Sequence, residues 1–464
     1  MAASVPDEPL TPSGRLFLRP ELDTIIHCII RGKDPINVDA VKSTIASSLM
    51  LQHPRFCSLL VRDRNGREYW RRTQVDLDQH LIVINHRIGT ADYSGANAEE
   101  AAVNQYVADL TVSTPLSTDK PLWEAHLLMA HRCAVFRIHH ALGDGISLMS
   151  IVMGCCRRID DPEALPTMIT KRDLGPGGGK WWDRIRQVLM MLCFGFVFAL
   201  EFILRALWVR DRKTVISGGA GVELWPRKLA TAKLLIQDMK VVKKAVDNAT
   251  INDVLFAVVS SGISRYLDHR SPNALQEGLR ITGEAMVNIR KQRQLEDLSD
   301  LIKNNSSSRW GNKFGVILLP IYYHKRNDDP LQYLKRAKKM VDLKKHSLEA
   351  HFSYKTGDLV MSWLGPKYAS LLNYRIVCNT TFTISNVVGP QEEITLAGNP
   401  IDYIRVNTSS LPHALTMHMM SYAGRADIQV LVAKDIIPDP EFLATCFENA
   451  LIEMKEAALA TVKK

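Results

Sequence analysis

The amino-acid sequence predicts a mixed α/β (α+β) fold built from two related subdomains that share an interface. The first observation behind this prediction is that strand-like and helical apolar patterns recur in both halves of the chain. The second is a stretch rich in Pro, Gly and charge, 160–180, which separates the two halves. The third is size, because 464 residues with 46% apolar content are enough for two or three hydrophobic cores.

Composition limits the classes of partner. The formal net charge of +9 favours an anionic partner such as nucleic acid, an anionic membrane surface or a phosphate-bearing substrate. The chain has no dense Lys/Arg stripe with interleaved aromatic residues, so we predict that it does not bind nucleic acid. Its eight cysteines form no CxxC pair, a pattern that a reducing compartment permits and that predicts neither a disulfide framework nor a metal site. The first residues lack a basic and apolar leader, so we expect most of the protein to face the cytosol.

The run 139–145 contains the residues best suited to catalysis. It has the sequence His-His-Ala-Leu-Gly-Asp-Gly. It follows 133–138, which has the apolar, β-branched content of a buried strand, and precedes 146–156, whose apolar spacing is compatible with a mostly buried helix. Two imidazoles and a carboxylate in a strand-to-helix loop, with Gly145 letting the backbone approach closely, are the ingredients of general-base chemistry.

His140 is the predicted general base. Successive side chains of a strand point to opposite faces, so His140 and Ile138 share one face while His139 points to the other. The two imidazoles cannot both address one substrate, and we assign His139 a supporting role. Asp144 lies too early in the helix to reach His140 comfortably. Two structural roles stay open for its carboxylate, which are holding the loop through an arginine and orienting the imidazole.

The segment 188–209 combines high apolar content with a length unusual in this chain. As an α-helix it is roughly 33 Å long, which is enough to cross the hydrocarbon core of a bilayer. Glu201 and Arg205 stand one helical turn apart and can pair, which lowers the cost of burying them. Tryptophans near both ends suit either the two interfaces of a spanning helix or a helix that lies flat.

The motif at 139–145 resembles the signature of the acyl-CoA-dependent acyltransferase superfamily. This superfamily includes chloramphenicol acetyltransferase, the plant BAHD acyltransferases and the condensation domains of peptide synthetases. More of the chain is similar to one branch, the plant wax ester synthase/diacylglycerol acyltransferases. The matching pieces are Pro-Leu-Trp at 121–123, Ile-Asn-Asp-Val at 251–254 and Ser-Asn-Val-Val-Gly-Pro at 385–390, in the family's order. The resemblance therefore covers nearly the whole length.

The resemblance implies two chloramphenicol acetyltransferase-like subdomains, each a mixed sheet with flanking helices, and an active site at their interface. We predict the N-terminal subdomain over 1–160 and the C-terminal subdomain over 229–464. Between them, 161–228 would form a linker that contains the apolar helix.

The resemblance also implies an acyl-CoA-dependent O-acyltransferase. Its acceptor would be a long-chain fatty alcohol, giving a wax ester, or diacylglycerol, giving triacylglycerol. His140 would act as the base without a covalent acyl-enzyme, and no cofactor is expected because acyl-CoA is a substrate. A Gly-x-Ser-x-Gly elbow is absent from the sequence, which argues against an acyl-serine route.

Further site residues follow from the resemblance. In the superfamily the aspartate of the signature pairs with a buried arginine, and Arg55, in a Pro-Arg-Phe context similar to the family's, is the candidate partner of Asp144. A surface arginine near a strand end is the alternative for Arg55. The residues implied to shape the substrate site are Trp123, Asn252, Asp253 and Asn386. Core packing for Trp123 and a plain helix cap for Asp253, which has capping-box spacing to Thr250, stay open.

Membrane lipid is the further partner that 188–209 implies. A single crossing by this segment would put His140 and Asn252 on opposite sides of the membrane. We therefore expect an interfacial or re-entrant segment, with a single pass as the alternative. The expected location is the endoplasmic reticulum membrane, with the plasma membrane as a second location and the catalytic part in the cytosol.

Two other functions stay open. One is a BAHD-like acyltransferase for small alcohols or amines. Against it, the Asp-Phe-Gly-Trp-Gly motif of that family is absent, and the apolar segment 188–209 would be unexplained. The other is a non-catalytic lipid-binding homologue, against which the intact His-His-x-x-x-Asp-Gly motif counts.

Overall fold

The computed structural model describes residues 7–89, 98–167, 181–290, 310–325, 329–345 and 347–462. Its strands are β1 (Glu8–Pro9), β2 (Ile25–Gly32), β3 (Ser58–Arg62), β4 (Glu68–Arg72), β5 (Leu81–Ile84), β6 (Trp123–Leu128), β7 (Cys133–His139), β8 (Cys156–Arg158), β9 (Arg227–Leu235), β10 (Arg280–Asn288), β11 (Phe314–Tyr322), β12 (Phe382–Val388), β13 (Ile394–Leu396), β14 (Asn399–Thr408), β15 (Leu415–Tyr422) and β16 (Arg425–Ala433). Its helices are α1 (Pro12–Leu16), α2 (Val38–Ser47), α3 (Leu49–Gln52), α4 (Leu77–His80), α5 (Ala98–Ser113), α6 (Gly145–Gly154), α7 (Trp181–Leu207), α8 (Ile236–Lys243), α9 (Ile251–Arg270), α10 (Leu331–Lys345), α11 (Glu349–Trp363), α12 (Pro366–Asn379) and α13 (Pro440–Val462). Part of the predicted linker over 161–228, residues 168–180, lies outside the described residues.

The first large sheet has seven strands in the order β5-β6-β7-β2-β14-β13-β8. All seven residues of β7 are buried. Phe136 and Ile138 on one face join a core that includes Leu148 of α6, while Val135 on the other face joins a core with Val107 of α5. A strand covered on both faces has a nearly continuous apolar sequence. This explains why β7 is recognisable from its composition.

Strands β13 and β14 come from the second half of the chain, yet they complete the first sheet. β14 pairs antiparallel with β2, and β13 pairs antiparallel with β8. The predicted contiguous subdomain over 229–464 is therefore corrected, because residues 394–408 belong to the N-terminal sheet. β2 would otherwise present a row of unpaired backbone groups on one side, and β14 supplies their partners.

The second large sheet has six strands in the order β11-β10-β12-β15-β16-β9. Helices α8, α9, α10 and α13 pack with it around one apolar core. α9 begins with a capping box in which Thr250 and Asp253 satisfy each other's backbone N–H groups. Close packing continues along α9, where a Cβ on Gly262 would lie 2.3 Å from the Phe447 ring of α13.

A buried ion pair joins the two sheets. Arg405 of β14 donates from Nε to Asp427 Oδ2 of β16 at 2.8 Å. The guanidinium also lies 3.3 Å from the carboxylate of Glu100 on α5. Lys233 of β9 pairs with the same Glu100 at 2.8 Å, so both sheets and α5 meet at this point.

Helix α7 is fixed to the protein at its C-terminal end and exposed along the rest. Arg205 is 3% exposed and donates to the carbonyl oxygen of Asn379 at 2.9 Å and to Thr282 Oγ1 at 2.7 Å. The predicted pair with Glu201 is present at 3.4 Å. Among the described residues, Val188–Leu207 is the one helical stretch long and apolar enough to cross a membrane, and almost none of it is buried in the protein.

Candidate active site

The predicted catalytic loop lies between β7 and α6, as the sequence indicates. Asp144 is the N-cap residue of α6, and its Oδ1 accepts a hydrogen bond from the Ser147 amide at 3.1 Å. Across the interface, a Cβ built on Gly145 would lie 4.0 Å from Val387 Cγ2. The motif at 139–145 therefore faces the segment 385–390, which the sequence had associated with the same site.

His140 is held by an asparagine of the second subdomain. Its Nδ1 lies 2.9 Å from Asn312 Oδ1, and Asn312 Nδ2 donates to the His140 carbonyl oxygen at 2.9 Å. Since the second bond fixes which end of the carboxamide is the acceptor, Nδ1 must be the protonated ring nitrogen. The lone pair is then on Nε2, which is the nitrogen that can accept a proton from a substrate.

The surroundings of His140 favour the neutral imidazole. Phe17 stacks on the ring with centroids 4.0 Å apart, and Phe314 contacts it from 5.8 Å. Burial lowers the pKa of His140 to about 4, and the charge of Asp144 opposes this shift only in part. A neutral imidazole is the form that a general base requires.

His139 has different partners. Its Nε2 lies 2.7 Å from Asp23 Oδ1, and its Nδ1 accepts a hydrogen bond from the Ala141 amide at 3.0 Å. Both ring nitrogens therefore have protein partners, one in the turn itself and one in the segment before β2. This placement suits the supporting role predicted for His139.

The prediction that Arg55 pairs with Asp144 is wrong. Asp144 Oδ2 accepts from Arg290 Nη1 at 2.6 Å and from the Lys313 amide at 2.9 Å. Arg55 instead lies 3.6 Å from Glu8 and donates to the Leu142 carbonyl oxygen at 3.4 Å. The Pro-Arg-Phe segment packs under the loop, whereas Arg290 reaches Asp144 from the end of β10.

The four predicted substrate residues divide into two groups. Asn386 Nδ2 donates to Asn252 Oδ1 at 2.6 Å, which joins the exposed first turn of α9 to a half-buried position of β12. Trp123 is fully buried, donates to the Phe56 carbonyl oxygen and stacks on His80, so its predicted substrate contact is replaced by core packing. Asp253 is buried in the capping box of α9, so its predicted substrate contact is likewise replaced by a structural role.

Four residues of the site were not predicted. They are Phe17, Asn312, Arg290 and His418, which come from separate parts of the chain. His418 is buried on β15, and burial together with the charge of His140 lowers the pKa of His418 to about 4. Nothing in the sequence around these residues links them to the motif at 139–145, because each reaches it only through the tertiary fold. Among the described residues, no cluster of three His, Cys, Asp or Glu side chains could hold a metal ion.

A His-His-x-x-x-Asp-Gly loop between two mixed sheets defines an acyltransferase of the CoA-dependent superfamily. The chain matches the wax ester synthase/diacylglycerol acyltransferase catalytic domain over 37–197 and the WS/DGAT C-terminal domain over 310–455. Wax ester synthase/diacylglycerol acyltransferases 11 and 5 of Arabidopsis thaliana are 36% and 35% identical to it. These alignments cover 98% and 97% of this chain and 96% and 93% of the relatives. The chain belongs to the wax ester synthase/diacylglycerol acyltransferase family.

Solved structures agree on the fold. The wax ester synthase/diacylglycerol acyltransferase from Marinobacter aquaeolei VT8 aligns with a TM-score of 0.58 at 16% identity, covering 97% of this chain and 99% of that one. A trichothecene 15-O-acetyltransferase from Fusarium sporotrichioides aligns with a TM-score of 0.58 at 13% identity, covering 97% and 94%. The predicted two-subdomain, chloramphenicol acetyltransferase-like architecture is thus confirmed.

The assignment of Arg290 can be tested by double-mutant cycles in the unfolding free energy. Arg290→Ala and Asp144→Asn should be coupled by at least about 1 kcal/mol, because each removes the same nearly buried ion pair. Arg55→Ala, at the alternative partner, should couple to Asp144→Asn more weakly than Arg290→Ala does, because its guanidinium contacts Glu8 and the Leu142 carbonyl oxygen rather than the Asp144 carboxylate. Coupling of Asp144 to Arg55 rather than to Arg290, measured by chemical denaturation, would contradict the structure.

The pH dependence of kcat/KM tests the neutral imidazole. With the pKa of His140 lowered to about 4, the base stays unprotonated as the pH falls from neutral. We expect kcat/KM to stay level from about pH 8 to about pH 5.5 and to fall only below about pH 5. Samples returned to neutral pH before assay control for unfolding. A half-maximal loss near the ordinary imidazole value of about 6.5 would be inconsistent with a buried base.

Proposed function

We propose that this protein transfers a long-chain acyl group from acyl-CoA to a fatty alcohol, to diacylglycerol, or to both, with His140 as the general base. The observation that carries the proposal is the geometry of His140. Its Nδ1 is bound to Asn312, which leaves Nε2 to accept a proton, and the half-buried ring lies between the subdomains, stacked on Phe17. The family supplies the lipid acceptors, since its members are wax ester synthases and diacylglycerol acyltransferases by name.

The reaction needs one proton transfer in each direction. The acceptor hydroxyl donates to Nε2 of His140 while its oxygen attacks the thioester carbonyl carbon, so a C–O bond forms and the proton resides on the imidazolium. The tetrahedral intermediate then collapses, the C–S bond breaks, and the imidazolium returns the proton to the leaving thiolate of coenzyme A. Asn312 Oδ1 accepts the Nδ1–H bond throughout and holds the ring in one tautomer.

Other site residues position this chemistry. Asp144, tied to Arg290 and to the Lys313 amide, fixes the loop that follows His140. We assign the exposed Asn252–Asn386 pair to the substrate, because it offers amide donors and acceptors beside the segment that faces Gly145. A side chain in place of Gly145 would come into van der Waals contact with Val387 there.

We infer that α7 lies in the membrane interface rather than crossing the bilayer. Before it, β8 pairs with β13 of the first sheet. After it, Asp211 accepts from the Thr282 amide and from Thr381 Oγ1 of the second subdomain. Because the two sheets are themselves joined at Arg405, both ends of the apolar segment belong to one folded body, which supports the interfacial placement over a single crossing. The endoplasmic reticulum surface is the proposed location, with the plasma membrane as a second one.

The topology can be tested by protease accessibility in sealed microsomes. Sites in both halves of the chain should be cleaved from the cytosolic side without detergent, since both halves lie on one side of the bilayer. Detergent-opened microsomes serve as the control for intrinsic cleavage. Protection of the C-terminal half alone would establish a single pass and contradict the interfacial placement.

The function can be tested with radiolabelled acyl-CoA and with fatty alcohol and diacylglycerol offered together. His140→Ala should lower ester synthesis by about 10²–10⁴-fold, the range that a general base contributes. His86→Ala, at an exposed histidine outside the site, is the matched control and should retain activity. Full ester synthesis by the His140→Ala protein would rule out this base. Acylation of small alcohols or amines alone, or acyl-CoA binding without any turnover, would support the two other functions.

A further inference from the structure

A second exposed apolar surface lies at the corner where α11 ends and α12 begins. We call it the α11–α12 corner and define it by Leu359, Trp363, Leu364, Tyr368 and Leu371. Trp363 is 82% exposed, and the other four side chains are also largely in solvent. Five large apolar side chains exposed together on one corner are unusual for a soluble surface and indicate an interaction site.

The α11–α12 corner is continuous with α7. Asn379 Nδ2 of α12 donates to the Arg205 carbonyl oxygen at 2.6 Å, and Arg375 donates to the Leu207 carbonyl oxygen at 2.6 Å. Phe352 of α11 packs edge-on against Phe202 at 6.5 Å between ring centroids. Leu372, which follows Leu371 of the corner, packs on the same apolar cluster as Phe202 and Ala206 of α7. Helices α7, α11 and α12 therefore form one layer.

The charges around the corner favour an anionic lipid surface as its binding partner. Lys355, Lys367 and Arg375 are exposed on α11 and α12, against Asp358 as the exposed acidic residue of these two helices. Exposed Arg210, Arg212 and Lys213 follow directly after α7. Basic residues around exposed tryptophan and leucine are typical of surfaces that bind the headgroup region of anionic bilayers. In an isologous contact with a second copy of the chain, the same positive charges would face each other.

The corner also lies near Phe17, the residue that stacks on the catalytic histidine. Helices α11 and α12 pack against α1, and Ser370 Oγ of α12 lies 3.4 Å from Glu21 Oε2. Phe17, which follows α1 directly, stacks on His140 with ring centroids 4.0 Å apart. A membrane on the α11–α12 corner would therefore lie beside the segment that covers His140.

We propose that the α11–α12 corner is a second membrane-docking element. It inserts Trp363 and Leu364 among the headgroups of an anionic phospholipid membrane, and it brings the Phe17 segment to the lipid surface so that the acceptor enters the site from the membrane. The entry of the acceptor rests on the proposed acyltransferase function, whereas the docking itself does not.

The docking is tested by flotation of the full chain with vesicles of phosphatidylcholine, with and without phosphatidylserine. Trp363→Ser/Leu364→Ser should bind phosphatidylserine vesicles about tenfold more weakly than the unaltered chain, because two interfacial apolar side chains are lost. Ile452→Ser/Leu459→Ser, at exposed apolar positions of α13, is the matched control and should bind normally. Equal binding by all three proteins, each with an unchanged circular dichroism spectrum, would overturn the proposal.

Acceptor entry is tested by comparing two presentations of substrate. The corner variant should keep its turnover of a short, water-soluble alcohol and lose about tenfold with acceptor embedded in vesicles. An equal loss on both acceptors would assign the corner to folding or to the site and overturn the entry route. If no acceptor is esterified by the unaltered chain, the acyltransferase proposal fails, while vesicle binding still decides the docking.

Binding of a second copy of the chain at the corner, the alternative to lipid binding, is tested by light scattering of the same proteins without lipid. The unaltered chain and the corner variant should have the same mass in solution. A dimer that the corner substitutions dissociate would assign this surface to a second copy of the chain and overturn the proposal.

Discussion

The buried contact of Arg405 with Asp427 and Glu100 is the interaction on which the active site depends. It joins the first sheet, the second sheet and α5 at one point. Removing one partner of such a pair leaves an uncompensated buried charge at a cost of about 3–5 kcal/mol. His140 follows a strand of the first sheet and Asn312 precedes a strand of the second, so their hydrogen bond requires the two sheets to be held together, and the Arg405 ion pair contributes to this.

The motif at 139–145 is therefore completed by residues distant in sequence. Asp144 has two functions, because one oxygen caps α6 and the other binds Arg290 and the Lys313 amide. The first contact fixes the loop locally, and the second attaches it to the other subdomain. His140 receives its tautomer from Asn312 and its low polarity from Phe17, neither of which belongs to the motif.

The parts of the site that could be predicted are those with a local cause. The strand before the motif shows as an apolar run because it is buried on both faces, and side-chain alternation separates His140 from His139. The Glu201–Arg205 pair follows from helical spacing. Arg290 could not be predicted, since it meets Asp144 across 146 positions of the chain, and the Asn312 contact spans 172 positions. Arg55 had a plausible sequence context, but its guanidinium is directed at Glu8 and Leu142 by packing that the sequence does not display.

The first sheet is completed by β13 and β14 from the second half of the chain, and this order affects the synthesis of the protein. The strand that borders β2 lies more than half the chain length downstream, at Asn399–Thr408. During translation β2 consequently keeps an open edge, and the apolar α7 emerges before the second sheet that anchors it. Open strand edges and exposed apolar helices promote aggregation of nascent chains. Early capture of α7 by a membrane or a chaperone would protect the growing chain until its last strands arrive.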